Sequence, residues 1–184
     1  EVVGWAREQF GDRMAPNGKL ASENFARWFG DSKVVDAEGK PMVVFHGTSA
    51  EFSKFDRQAG KEGSMFTYGR EPGSGGIFFS STPSSYFTEG SRGQERGGRT
   101  IPAYVTIKNP AILPGDLSLE EQAKALREAE EQGHDGAIIG EVEYVVFDSN
   151  QIKSTNNKGN FSANENILNS QEAVAETKAA NFGQ

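Results

Sequence analysis

The sequence predicts an α+β domain, because many short strand-like segments are interspersed with a few helix-like ones. Runs that are apolar or alternating and bounded by turn residues predict strands over residues 42–46, 77–79, 103–108, 137–139 and 144–147. Helical spacing and capping residues predict helices over residues 5–11, 23–29 and 119–131. The 184 residues include 22 Gly and 7 Pro. We therefore expect one domain, with long Gly-rich loops over residues 56–76 and 87–100.

The composition excludes several classes of function. The chain has no Cys and only two His, which excludes disulfides, thiolate zinc sites and a Cys nucleophile, and we expect no metal. The net charge is −7, and the acidic excess lies in residues 101–184, which argues against general binding of nucleic acid. No apolar run approaches the roughly 18–20 residues of a membrane span, so we expect no membrane association. The first residue is Glu1, which suggests a segment of a longer polypeptide.

Two of the predicted helices have residues that mark where they begin or end. Ser22 is the predicted N-cap of a helix over residues 23–29, which ends at Gly30. Its apolar face is formed by residues at helical spacing, namely Phe25, Trp28 and Phe29. For the later helix, Ser118 and Glu121 form a predicted capping box. The predicted buried face of that helix consists of Leu119, Ala123 and Leu126.

The first segment that could carry chemistry is Phe45-His46-Gly47-Thr48. A His at the end of a buried strand points an imidazole into a cleft, and the Gly leaves its backbone N–H and C=O open to a ligand. Taken alone, a structural His is the commoner explanation.

The second segment combines GGIFFSS at residues 75–81 with SSYF at residues 84–87. Aromatic rings flanked by hydroxyl groups suit a flat heteroaromatic ligand, which needs a face to stack on and polar groups at its edge. Ordinary core aromatics are the commoner explanation of such a segment alone.

The third segment is EVEYVVFD at residues 141–148. Alternation along a strand predicts that Glu141 and Glu143 share one face. A carboxylate at the start of a buried strand is costly unless it is paired or functional. A solvated strand end is the alternative explanation.

Together and in this order, HGT, GIFFS with SSYF, and EYVVFD resemble the ADP-ribosyltransferase fold. The resemblance is to the branch named for its His, Tyr and Glu, which includes diphtheria toxin and the poly(ADP-ribose) polymerases. Longer stretches, including SENFARWFGDSKVVDAEGKPMVVFHGT and EYVVFDSNQIKS, resemble the ADP-ribosyltransferase domains of phage-encoded polyvalent proteins. This resemblance implies a split β-sheet core with peripheral helices. It also implies an N-terminal extension over residues 1–20, a catalytic domain over residues 21–168 and a tail over residues 169–184.

The resemblance implies a role for each site residue. His46 would hydrogen-bond a ribose hydroxyl of NAD, the Gly47 backbone would bind the nicotinamide carboxamide, and Thr48 would also contact the NAD. The remaining implied contacts are a hydrogen bond to the same amide from Ser84 or Ser85, stacking by Tyr86, catalysis by Glu143 and orientation of an acceptor by Glu141. Where the family often has Tyr, this chain has Phe78, so the middle member of the triad is open between Phe78 and Tyr86.

The function implied by the resemblance is that of an NAD-dependent mono-ADP-ribosyltransferase that needs no metal. It would cleave the nicotinamide–ribose bond and transfer ADP-ribose to a macromolecule, with a host protein expected over nucleic acid. As a toxin-like domain of a larger phage or mobile-element polypeptide, it would act in the host cytoplasm; whether an inhibitor or immunity protein accompanies it stays open. The alternatives are an NAD glycohydrolase and a catalytically silent binding module. Phe78 in place of Tyr favours the silent module, whereas His46 and Glu143 oppose it.

Overall fold

The computed structural model describes residues 1–48, 76–83, 99–164 and 166–168. They form three α-helices, a seven-stranded sheet and one short 3-10 helix, which confirms the α+β class. The helices are α1 (Val2–Phe10), α2 (Ala21–Phe29) and α3 (Leu119–Glu131), and the 3-10 helix is Ser149–Gln151. The strands are β1 (Val44–Thr48), β2 (Ile77–Ser80), β3 (Arg99–Val105), β4 (Pro110–Leu113), β5 (Gly136–Ile139), β6 (Glu143–Val146) and β7 (Ile152–Ser154). None of the described helices has the length and apolar character needed to cross a membrane.

The sheet has the strand order β4-β5-β6-β2-β1-β3-β7. Its pairs are antiparallel except for β4 and β5, which run parallel. β1 pairs with β3 along its whole length, but with β2 only where Phe45 lies opposite Ser80. The two halves of the sheet are therefore joined at one position, and the predicted split lies between β1 and β2.

The two faces of the sheet carry different cores. One face, which we call the core face, is closed by a continuous apolar cluster that includes Val44, Phe79, Ile101, Tyr144 and Val146. On the other face, which we call the helical face, α3 packs against β4, β5 and β6 through Leu126 and Ala129.

Helices α1 and α2 cover the opposite end of the helical face with an aromatic cluster. Phe25 lies at its centre, and its ring centroid is 5.2 Å from that of Trp5, 5.0 Å from that of Tyr104 and 5.1 Å from that of Phe161. The apolar face predicted for α2 is buried as expected. Residues 1–20, expected as an extension, contribute α1 to this cluster.

Several strand boundaries differ from the prediction. β1 begins and ends two residues later than predicted, and β3 begins at Arg99 rather than at residue 103. β4 was not predicted, because Asn109-Pro110 was expected only to end the preceding strand. Pro110 instead begins an edge strand, where the missing N–H of proline breaks no interior ladder.

The helix predictions had mixed outcomes. The capping box of Ser118 and Glu121 is confirmed, with both reciprocal hydrogen bonds present. Ser22 is not the N-cap of α2: the cap is Leu20, and Ser22 is buried within the first turn. Leu119 was predicted to be buried but is 48% exposed, because the buried face of α3 runs through Gln122, Ala123, Leu126 and Ala129 instead. The predicted Gly-rich loops, apart from their ends, and the predicted tail lie outside the described residues.

Candidate functional site

The imidazole of His46 bridges the gap where the sheet divides. Beyond Phe45, β1 and β2 no longer pair, and the Nδ1 atom of His46 lies 2.7 Å from the carbonyl oxygen of Phe78 on β2. The ring centroid of His46 is 5.5 Å from that of Phe79. A side chain thus continues the connection between the two halves where the backbone ladder stops.

This contact defines the protonation of the imidazole. A carbonyl oxygen can only accept, so Nδ1 carries the proton and donates it to Phe78. Burial lowers the pKa of His46 below its ordinary value, and the hydrogen bond to Phe78 opposes that shift. At neutral pH the ring is therefore uncharged, with Nε2 as its acceptor atom.

Strand register brings three of the predicted site residues onto the helical face. Phe45 pairs with Ser80, which pairs with Glu143. Side chains two residues apart share a face, so Gly47 and Phe78 lie on the same face as this row. Each of these five residues is half-buried.

These residues lie between the two helical covers. Val145 on β6 is fully buried with α3, and Tyr104 on β3 packs against α1 and α2. We call the half-buried region between them the central strip; it consists of Phe45, Gly47, Phe78, Ser80, Thr100, Pro102 and Glu143. The side chains described on the core face of β1, β2, β3 and β6 are buried, apart from that of His46.

Glu143 is held by backbone pairing on both sides. It lies opposite Ile139 on β5 and Ser80 on β2. The Ser81 N–H also donates to the Val142 carbonyl at 2.9 Å, which fixes the turn before Glu143. No hydrogen bond or ion pair to its carboxylate is found within the described part of the chain. The strand therefore presents a half-buried carboxylate that is unpaired among the described residues, which suits a group that acts on a ligand.

Glu141 does not share the face of Glu143, and that prediction was wrong. β6 begins only at Glu143, and Glu141 lies exposed in the preceding turn with φ +62°. Burial, and secondarily the charge of Glu141, raises the pKa of Tyr144, whose side chain lies on the core face. The left-handed turn at Gly140 and Glu141 interrupts the alternation from which the shared face was inferred.

Other predicted site residues are only partly described. Ser84, Ser85 and Tyr86 lie outside the described residues, so the choice between Phe78 and Tyr86 stays open. The backbone of Thr48 ends β1 opposite Arg99 on β3. Among the described residues, no cluster of three or more His, Asp and Glu side chains could hold a metal ion.

Sequence reasoning missed Thr100. It lies directly opposite Gly47, and its Oγ1 is buried with no hydrogen-bond partner in the part of the chain that the structure describes. The predicted strand began at residue 103, which excluded Thr100 from consideration. The alternation of that strand, continued backwards to Thr100, was the signal that could have found it.

Comparison with known proteins identifies the family of this region. Residues 36–122 match the family model described as ADP-ribosyltransferase in polyvalent proteins, which confirms the family that the motifs indicated. The match includes His46, Gly47, Phe78 and Thr100 and ends before Glu143. No curated protein and no solved structure matches the chain significantly.

Proposed function

Because residues 36–122 belong to the ADP-ribosyltransferase family of polyvalent proteins, we propose that the central strip binds NAD and cleaves its nicotinamide–ribose bond. The observation that carries this proposal is the placement of Gly47, Phe78 and Glu143 on one half-buried face, at the gap that the imidazole of His46 bridges from the core face. That surface offers an aromatic ring, a backbone without a side chain and one carboxylate.

The reaction needs little more than orientation and one negative charge. Nicotinamide leaves as a neutral molecule, and its departure makes the ribose resemble the oxocarbenium ion of glycoside hydrolysis. A carboxylate held near that sugar stabilises the developing positive charge. Glu143 has this role in the proposal, and it also receives a proton from the incoming nucleophile.

The neighbouring groups position the nicotinamide end of NAD. His46, protonated on Nδ1, accepts a hydrogen bond from a ribose hydroxyl through Nε2. The Gly47 backbone binds the carboxamide, and the Phe78 ring supplies an aromatic surface for the pyridine ring. Phe78 keeps that surface without the hydroxyl of tyrosine.

The proposed acceptor is a macromolecule, and we favour a host protein over nucleic acid. The net charge of −7 gives little attraction to a phosphate backbone. In this proposal the domain transfers a single ADP-ribose unit within the host cell, as part of a larger phage-encoded polypeptide.

One observation supports NAD hydrolysis as a second candidate function. The proposed acceptor-orienting Glu141 lies in a turn, off the face that carries Glu143. The described residues of the strip include no second carboxylate that could orient a protein side chain, so water becomes the competing acceptor.

The test is release of nicotinamide from labelled NAD, with and without cell lysate. Because the carboxylate stabilises the transition state, Glu143→Gln should lower the release rate by roughly 10²–10³-fold. Glu38→Gln changes an exposed carboxylate in a distant turn and serves as the control that keeps the wild-type rate.

The label distinguishes the two candidate functions. Glu143-dependent labelling of lysate protein supports transfer, and labelling of nucleic acid instead would overturn the preferred acceptor. Release without labelling supports the glycohydrolase. Absence of both release and NAD binding would leave a silent module and overturn the enzymatic proposal.

A further inference from the structure

The hydroxyl of Thr100 is the one side-chain polar atom of the sheet strands that is both buried and unpartnered among the described residues. Thr100 is the second residue of β3 and pairs with Gly47 of β1. Burying a hydroxyl without a hydrogen bond destabilises the folded state, so such a group calls for a physical explanation.

The surroundings of Thr100 indicate where its partner would lie. Side chains directly opposite each other on antiparallel strands have Cβ atoms about 4.5–5.5 Å apart. Here the opposite residue is Gly47, which contributes no side chain. On the other side of Gly47, β2 has separated from β1, with Phe78 on the same face. On this face, Gly47 is thus flanked by the Thr100 side chain on β3 and, across the gap, by Phe78 on β2.

We propose that Thr100 is a substrate-binding residue, whose hydroxyl hydrogen-bonds the carboxamide of bound nicotinamide above Gly47. This inference rests on the proposed NAD site and adds a side-chain contact from a strand to which the family motifs assign no role. A carboxamide presents both an acceptor and donors, and a threonine hydroxyl can donate and accept. The bound ligand therefore satisfies a hydroxyl that has no partner among the described residues.

The pairing of β1 with β3 indicates which part of NAD the Thr100 hydroxyl contacts. Gly47 is the residue whose backbone binds the carboxamide in the proposed function, and Thr100 is its direct neighbour across the ladder. Glu143, which acts at the ribose, lies in the next row of the sheet with Phe45 and Ser80. The hydroxyl is accordingly closer to the nicotinamide position than to the reacting sugar.

Calorimetric titration of NAD into the Thr100→Val variant tests the inference. Valine keeps the β-branched shape and removes only the hydroxyl, so the Kd for NAD should rise about three- to tenfold, the loss expected for one neutral hydrogen bond. The Kd for ADP-ribose, which lacks nicotinamide, should stay unchanged. Thr100→Ser, which restores the hydroxyl, should recover most of the NAD affinity.

Thermal unfolding of the free protein separates a binding role from a structural one. Removing an unsatisfied hydroxyl should raise the unfolding midpoint of Thr100→Val. Thr106→Val is the matched control, because its Oγ1 donates to the Phe29 carbonyl at 3.3 Å. That variant should have a lower midpoint and wild-type affinity for NAD.

Each contrary result has a distinct meaning. Wild-type NAD affinity in Thr100→Val, an equal loss of ADP-ribose affinity, or a lowered midpoint would overturn the role of Thr100 while leaving the NAD site in place. If the valine variant does not fold, Thr100→Ala gives the same binding readout. Failure of the wild-type protein to bind NAD would overturn both the inference and the proposed function.

Discussion

The helical face of the sheet has two contrasting regions, the aromatic cluster under α1 and α2 and the central strip beside it. In the cluster, Phe25 and Phe29 are completely buried and their rings stack 5.3 Å apart. Each of the seven residues of the strip is only half-buried. One sheet thus carries a fully packed region and, beside it, a region that is only partly covered.

Several polar groups near the cluster are paired, whereas two polar groups of the strip are unpaired among the described residues. Near the cluster, the buried Asn157 amide donates to the Ile167 carbonyl at 2.9 Å, and the Lys153 ammonium donates to the Asn164 carbonyl at 2.6 Å. In the strip, the Thr100 hydroxyl and the Glu143 carboxylate have no partner among the described residues. Buried polar groups are normally satisfied, and in our proposal bound NAD supplies the partners of the two polar groups in the strip.

The largest expected effect is on stability, from Phe25→Ala in the cluster. Because Phe25 is 0% exposed and contacts several rings, its truncation should lower the free energy of unfolding by about 3–5 kcal/mol. Urea unfolding measures this loss. At a temperature where the variant remains folded, its Kd for NAD should equal that of the wild type.

The matched variant in the strip is Phe78→Leu. Because this ring is only half-buried, its replacement should lower the free energy of unfolding by less than Phe25→Ala does. NAD binding should nevertheless weaken, because the aromatic surface is lost. A large loss of NAD affinity in Phe25→Ala would show that the two regions are coupled and contradict their separation. If the alanine variant is unfolded, Phe25→Leu provides the same comparison with a smaller perturbation.

The next expected effect is a pH dependence of stability, which arises from Lys153 opposite Tyr104 of the aromatic cluster. Lys153 is 0% exposed, and burial lowers its pKa to about 8. The unfolded chain keeps this lysine protonated up to about its ordinary pKa of 10.5. Between these values the unfolded state binds more protons, so stability rises with pH. Relative to Lys153→Met, the free energy of unfolding of the wild type should rise by about 1–2 kcal/mol between pH 7.5 and 9.5.

The control for this measurement is Lys124→Met. Lys124 is a surface residue whose side chain is 71% exposed and whose Nζ lies 3.9 Å from Oε1 of Glu128. Its substitution should give no such pH-dependent difference. Tyr104 faces Lys153 across the ladder, but burial raises the pKa of its phenol, so it stays neutral over this range. A constant difference between wild type and Lys153→Met would contradict the inferred lysine titration.

Local signals predicted most of this architecture, whereas long-range pairing limited the prediction of the site. The spacing of Phe25, Trp28 and Phe29 and the Ser118 capping box depend on neighbouring residues, and both were confirmed. Thr100 gains significance only through its register with Gly47, which no local pattern encodes. Glu141 was misplaced because Gly140 and Glu141 both adopt positive φ, a conformation that alternation does not reveal.

The smallest expected effect comes from Ser22, the residue mistaken for an N-cap. Its Oγ is buried without a hydrogen-bond partner among the described residues, as in Thr100, but it lies in α2 under the aromatic cluster. Ser22→Ala removes the unsatisfied hydroxyl and improves helix propensity, so the free energy of unfolding should rise by about 0.5–1.5 kcal/mol. Thr100→Val should also stabilise the free protein, yet only that variant should weaken NAD binding. An increased Kd for NAD in Ser22→Ala would mean that the cluster and the strip are coupled, and would contradict a binding role specific to the Thr100 hydroxyl.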